Sequence, residues 1–325
     1  MKLDQGHLVI SLDFELFWGV FDVRSLESYK SHLEKVTEIV PRLLKLSDKY
    51  NIKLTFASVG FLLAKNKEEI IRFSPKIKPS YSNSNFSPYR LLNEIGNNQH
   101  EDPYHYATSL VDIIKKNKNH EIGSHTFCHY YCNEIGQTAK EFEADLLASI
   151  NIAKQQDITI KSIVFPRNQI NETYLKICAN HGILNYRGIE KHWMYNTKDT
   201  KQLGKTKNRI YRLLDTYFNI SGHNTHELEI HYGLVNIASS RFLRPYSNFL
   251  SFLEPMKIQR IKRGMTYAAK KKQVYHLWWH PHNFGDNTDK NFKALETLFI
   301  HYSMLKSTYN FNCKTMAHLS KITKN

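Results

Sequence analysis

Short apolar runs separated by amphipathic stretches set the pattern of this chain. Residues His7 to Leu12, Ile52 to Val59, Glu121 to Ser124, Ile160 to Phe165, Gly182 to Tyr186 and Gln273 to Trp279 read as buried strands. Between them, Leu33, Val36, Ile39, Val40, Leu43, Leu44 and Leu46 recur at helical spacing, and so do Phe142, Leu146, Ile150 and Ala153. Asn291 to Lys306 reads as a further helix, followed by a short strand around Phe311 to Thr315. Strands that alternate with helices predict parallel β-sheet units, and the number of units favours a barrel over an open sheet. Two stretches break the rhythm. Residues 74–106 are rich in Ser, Asn, Pro and Tyr and read as a long insertion loop or lid; residues 196–272 read as an irregular, elaborated rim. The whole chain, residues 1–325, is expected to form one domain.

Composition narrows the class without naming a function. The chain has 325 residues, 41% hydrophobic and 23% charged, which is globular. It contains no apolar run long enough for a membrane span. The N-terminus runs straight into an apolar strand, and the expectation is a cytoplasmic protein. Four cysteines, without a second closely spaced pair, read as reduced and mostly buried thiols rather than a structural zinc knot. A formal net charge of +15 suits an anionic glycan, a nucleotide-linked sugar or an anionic membrane surface. No nucleic-acid motif accompanies it, so no nucleic-acid partner is expected. The segment Ser239-Ser240-Arg241-Phe242-Leu243-Arg244-Pro245 offers basic contacts to an anionic group, or a structural loop.

Chemistry-bearing residues gather at predicted strand ends, where parallel barrels carry their catalytic groups. Asp13 and Glu15 close the first strand, two residues apart and so on one face of an extended segment. His125 and His129 follow the third strand; on a helical turn both imidazoles would point the same way and could chelate a cation. Arg167 stands in Val164-Phe165-Pro166-Arg167-Asn168-Gln169, where the bland reading is a salt-bridge residue. His280 and His282 follow the tryptophan pair Trp278-Trp279, and aromatic walls of that kind stack on sugar rings.

The order of these pieces resembles the polysaccharide deacetylases (carbohydrate esterase family 4). Acid pair, Ser124-His125-Thr126-Phe127-Cys128-His129, Pro166-Arg167 and Leu277-Trp278-Trp279-His280 carry the resemblance, which runs from about Leu8 to about Leu319. It implies a distorted (β/α)7 barrel with loop insertions, and a metal-dependent hydrolase that removes an N- or O-acetyl group from a carbohydrate in surface-polysaccharide biosynthesis. It implies Asp13 as catalytic base and Glu15, His125 and His129 as ligands of a divalent metal, with zinc expected. Arg167 would steady the base, His280 would act as general acid with His282 in reserve, and Asp215 would orient that histidine. Unlike the family's adjacent aspartates, Asp13 and Glu15 are separated by Phe14, so their roles are open to exchange. The expected partner is a carbohydrate, with anionic, lipid-linked or nucleotide-linked forms and a peripheral membrane contact all compatible with the charge. Rival readings are a glycoside hydrolase working through the carboxylate pair, a metal-free amide hydrolase of the allantoinase-like branch, and a non-catalytic glycan-binding protein.

Overall fold

The structure is a computed structural model that describes residues 1–195 and 199–322. Its strands are β1 (His7–Phe14), β2 (Thr55–Ser58), β3 (Glu121–Ser124), β4 (Ser162–Ile163), β5 (Asn185–Tyr186), β6 (Glu229–His231), β7 (Leu234–Asn236), β8 (Arg241–Phe242), β9 (Val274–Trp279) and β10 (Asn312–Cys313). They form one sheet in the order β6-β7-β5-β4-β3-β2-β1-β9-β8, with β10 also beside β1. Every pairing is parallel except β6 with β7. The sheet curls, and one run of chain brings its ends together. Ile237 N–H bonds the Tyr186 carbonyl (3.0 Å) and Ser239 N–H the Gly188 carbonyl (2.9 Å) beside β5. Immediately afterwards Ser240 N–H bonds the His276 carbonyl (2.8 Å) and Leu243 N–H the Trp278 carbonyl (2.8 Å) on β9. This is a barrel, as the alternation of strands and helices predicts, and a distorted one, as the family resemblance implies.

Two-residue alternation along β1 sorts the core into two layers. Leu8, Ile10, Leu12 and Phe14 face outward into the large cluster shared with the helices. Val9 faces inward, with Ala57, Val164, Val235 and Val274, and Met316 and Leu319 of the C-terminal helix join that inner cluster. Further along the same inner face come Ser11 and then Asp13, so the barrel interior changes from apolar to polar toward the carboxyl ends of its strands. Those ends hold the candidate site.

The long amphipathic stretch is two helices, Leu26–Glu34 and Val36–Lys49. The expected helix around Phe142 is Ala139–Gln155, started by a capping box of Thr138 and Glu141. Residues 74–106 contain two short 3-10 turns and pack as a wall rather than hang free. Phe17 N–H bonds the Tyr104 carbonyl (3.2 Å), and Trp18 Nε1 donates to the His105 carbonyl (2.9 Å). The stretch 196–272, expected to be irregular, needs correction. Its first three residues, Asn196, Thr197 and Lys198, lie outside the described residues, but the rest includes helices Thr206–Tyr217 and Glu254–Lys271 and strands β6, β7 and β8. The second helix buries Lys257 and Arg260 beside Ile261 and Met265, so its inward face is not apolar and its periodicity is masked.

All four cysteines are free and buried. Among the described residues, no helix is long and apolar enough to cross a membrane.

Candidate functional site

Asp13 is the next-to-last residue of β1, and its carboxylate is gripped by a buried arginine from the far side of the barrel. Arg187 follows β5 directly; its Nη1 donates to Asp13 Oδ1 (2.6 Å) and to Ser11 Oγ (3.0 Å). Its Nη2 donates to Asp13 Oδ2 (2.8 Å) and to Asn168 Oδ1 (2.9 Å). The guanidinium also lies 4.1 Å from the Trp278 ring. Burial alone would push the Asp13 carboxyl up, but Arg187, helped by His125 and His280, outweighs it and holds the group below the ordinary aspartate range. Asp13 is therefore an oriented, ionised carboxylate.

Glu15 lies just beyond β1, where the chain leaves the extended conformation and Leu16 turns left-handed with φ 46°. The turn brings Gly19 against the Glu15 carboxyl: a Cβ on Gly19 would fall 2.0 Å from Oε1. Only a glycine leaves room for the carboxylate to point into the barrel mouth. There Glu15 Oε2 lies 3.2 Å from the Nε2 of both His125 and His129, and Oε1 lies 3.5 Å from His280 Nε2.

The two histidines meet, but not on the helical turn that their spacing suggested. The chain after β3 turns at Thr126 (φ 65°) and at His129 itself (φ 61°), both left-handed. Asp145, on the helix behind, accepts from the Phe127 N–H (2.7 Å) and the Cys128 N–H (3.1 Å) and sets the loop's shape. The imidazole centroids end 5.1 Å apart. His125 Nδ1 lies 2.8 Å from the Val164 carbonyl, which can only accept, so Nδ1 carries a proton and Nε2 is the atom turned on Glu15. Burial holds His129 toward its neutral form against the pull of Glu15. Two imidazole nitrogens and a carboxylate, all buried, converge within 4.8 Å of one another. Lone pairs that face one another this closely repel unless a proton or a cation lies between them, and this donor set suits a borderline divalent ion such as zinc.

His280 and His282 stack nearly parallel, with centroids 5.1 Å apart, and differ in setting. The ring of His280 is reachable from solvent; its Nδ1 meets Asn283 Oδ1 at 2.9 Å and its Nε2 lies 3.8 Å from Asp13 Oδ2. His282 is buried, and burial with the neighbouring His280 pushes it down to about 3. Of these two rings, His280 is the one that meets the open mouth. Glu15, His280 and His282 also form a compact donor group, sharing Glu15 with the first.

Two expected residues stand elsewhere. Arg167 does not hold Asp13. Its Nη2 donates to both oxygens of Asp22 (2.5 and 2.7 Å), its Nη1 donates to Thr200 Oγ1 (2.7 Å), and it lies 4.3 Å over the Tyr131 ring. Arg167 and Asn168 are both left-handed (φ 54°), which aims the Asn168 side chain at Arg187 and turns the Arg167 side chain toward Asp22. Asp215 does not orient His280 either, whose Nδ1 partner is Asn283. Asp215 is buried among Arg241 (2.7 Å), Arg260 (2.9 Å) and the Tyr195 hydroxyl (2.6 Å). Sequence reasoning missed Arg187, although its signal was there: an arginine directly after a predicted strand, in the position that the other site residues occupy. It also missed Asp22 and Gly19.

A sequence model of the polysaccharide deacetylases matches residues 21–186. This chain belongs to the polysaccharide deacetylase family. Among solved structures, a Mycobacterium smegmatis protein assigned as a polysaccharide deacetylase matches with a TM-score of 0.61 and 14% identity, covering 99% of this chain and 91% of that one. A Pseudomonas aeruginosa protein with the same assignment matches with a TM-score of 0.55 and 11% identity over 97% of this chain and 89% of its own. The Puue allantoinase matches with a TM-score of 0.55 and 12% identity over 97% and 88%. At these identities the likeness is one of fold. No curated protein sequence matches the chain.

Proposed function

We propose that this member of the family is a metal-dependent deacetylase that hydrolyses an N- or O-acetyl group on a carbohydrate, within surface-polysaccharide biosynthesis. The observation that carries the reading is the convergence of Glu15 with the Nε2 atoms of His125 and His129. These three residues would hold the ion. A bound zinc or similar cation supplies Lewis-acid polarisation of the acyl carbonyl and lowers the pKa of a water molecule.

The remaining steps belong to the chain's own side chains. Asp13, kept ionised and aimed by Arg187, accepts the proton of the attacking water. His280, with its ring angle set by Asn283, donates a proton to the departing amine or alcohol. Trp278 and Phe242, with ring centroids 4.7 Å apart, form a wall suited to the apolar face of a sugar. The carboxylate-pair glycosidase is disfavoured. That mechanism needs one carboxyl held protonated, whereas Arg187 engages both oxygens of Asp13 and imidazoles surround Glu15.

The test measures metal content by elemental analysis and acetate release from acetylated oligosaccharides on the same preparation. The expected result is about one divalent ion per chain by the donor count, lost together with acetate release in His125→Ala. Full amide hydrolysis by a thoroughly chelated, metal-free protein overturns metal dependence in favour of the allantoinase-like reading. Cleavage of glycosidic bonds without acetate release overturns the deacetylase reading altogether.

A further inference from the structure

The helix Thr206–Tyr217 packs with its polar side against the protein. Asp215 and Thr216 are buried, and they meet charged groups there. Asp215 accepts from Arg241 (2.7 Å) and Arg260 (2.9 Å), and the Thr216 hydroxyl accepts from Arg244 Nε (2.9 Å). The opposite side carries the apolar stripe. Ile210, Leu213 and Leu214 stand at i, i+3 and i+4, so they share a face, and all three are exposed, Ile210 to 52%. A helix on the surface of a globular domain turns such a stripe toward the core. This one offers it to the surroundings.

The stripe has exposed apolar neighbours. Tyr211 meets Trp193 edge-on with centroids 5.2 Å apart, and Trp193 is 52% exposed. Leu213 lines a depression with Pro245, Ser247 and Leu250. The same loop carries Phe249 and Phe252, the two most exposed aromatic side chains among the described residues, at 88% and 73%. Cations border this patch. Lys201, Lys205, Lys207 and Arg209 are exposed, and the Lys207 ammonium lies 5.9 Å from the Trp193 ring. Lys290 reaches the loop at Asn248 Oδ1 (2.9 Å). The chain holds no acid between Asp199 and the buried Asp215. Asp286, the acid that lines the depression, lies 3.5 Å from His32. The patch also borders the barrel mouth, because Thr216 and Phe242 line one cleft with His280.

We propose that this patch docks the protein onto an anionic lipid bilayer. Ile210, Leu213, Leu214, Phe249 and Phe252 enter the boundary between headgroups and acyl chains, and the lysines and Arg209 stay among the headgroups. Interfacial helices have this make-up: an apolar face that enters the lipid, and Lys and Arg stems that lie along it while their charges remain in water. A second copy of the chain fits less well. It would set two formal charges of +15 against each other, and lysine is depleted where proteins meet proteins. Docking in this pose holds the cleft of His280 beside the headgroups.

The experiment sediments the full chain with vesicles of phosphatidylcholine alone, and with vesicles of phosphatidylcholine and phosphatidylglycerol in equal amounts. The wild type should pellet with the mixed vesicles and far less with phosphatidylcholine alone. Phe249→Ser/Phe252→Ser should weaken partitioning about tenfold or more, through the loss of two buried rings. Lys205→Gln/Lys207→Gln/Arg209→Gln should weaken it about fivefold per charge removed and blunt its salt dependence. All five side chains are exposed, so thermal melts of both variants should match the wild type. Tryptophan emission gives a second readout in the wild type. Trp18 and Trp279 are fully buried, so a blue shift on adding mixed vesicles that is absent in Trp193→Phe reports Trp193 entering the interface. Full vesicle binding by both variants, no wild-type preference for the mixed vesicles, or an unshifted Trp193 overturns the proposal. Concentration-dependent dimerisation in sedimentation velocity that Phe249→Ser/Phe252→Ser abolishes assigns the patch to a second copy and overturns it as well. None of these measurements involves acetate release, so docking stands or falls separately from the deacetylase reading.

Discussion

Two buried aspartates in this protein each meet arginine, and they do different work. Among the described residues Asp13 takes its hydrogen bonds from Arg187, and its outer oxygen faces His280 across 3.8 Å at the barrel mouth. Asp215 sits within the rim and accepts from Arg241, Arg260, the Tyr195 and Ser221 hydroxyls and the Ile220 and Ser221 N–H groups. A carboxylate has about four acceptor positions. Those of Asp215 are all committed to tying the helix Thr206–Tyr217 to its neighbours, whereas Asp13 keeps capacity toward the open mouth. The same ion-pair chemistry is structural where the acceptor is saturated, and where it is not it leaves the room that the proposed proton transfer at Asp13 needs.

The largest expected effect sharpens this contrast. Asp13→Asn should lower kcat by about 10²–10⁴-fold, the usual contribution of a proton-transfer group. Steady-state deacetylation measured per folded molecule checks it, and near-normal turnover would move the base role to another residue. Next comes Arg187→Met, which strands a buried carboxylate and should cost about 3–5 kcal/mol in denaturant unfolding. If instead stability holds and only activity falls, the pair at the mouth contributes orientation alone. Asp215→Asn should cost a similar 3–5 kcal/mol or somewhat less, since the amide keeps part of the hydrogen bonding. Its kcat per folded molecule should stay at the wild-type level; a kcat loss would restore the orienting role that the family resemblance implied.

The rim cluster also carries a response to acid. Burial raises Asp215, but Arg241, with Tyr195 and Arg260, outweighs it and holds the carboxyl down at about 2. A depressed folded pKa means that the stability from this cluster is present above the unfolded value of about 4. It is lost as pH falls through about 2, so wild-type unfolding curves should steepen over that window while those of Asp215→Asn stay flatter. The smallest effect is expected from Asp145→Asn, which removes one of the two acceptors behind the His125–His129 loop. About 1–3 kcal/mol of stability should go with it, and weaker metal retention in equilibrium dialysis would tie that loop to ion binding.

Much of the barrel was legible because burial imposes a local period. Leu8, Ile10, Leu12 and Phe14 alternate with Val9, Ser11 and Asp13, and both faces of β1 are buried, so the run reads as a strand and its end as a mouth. Strand limits were less legible: the apolar run Ile160 to Phe165 pairs only at Ser162–Ile163, because a ladder needs partners on both sides that the run itself does not supply. The helices Thr206–Tyr217 and Glu254–Lys271 escaped notice because buried Asp215, Lys257 and Arg260 interrupt the apolar stripe that marks a helix. Their charges make sense only once the partners are known.

By itself the sequence determined the alternating α/β architecture, the grouping of acids and histidines at strand ends, and the family to which those groups point. The first two are written in spacing along the chain, because side-chain direction repeats every two residues in a strand and burial follows it; the family rests on the resemblance of the motifs. Only the tertiary structure decided that Arg187 rather than Arg167 holds Asp13, that Asp215 belongs to the rim, and that His125 and His129 meet through left-handed turns braced by Asp145. The reason is reach: a guanidinium on a long, flexible stem can serve any carboxylate that the fold brings near. Arg187 and Asp13 are 174 positions apart in sequence, and nothing local to either one names the other.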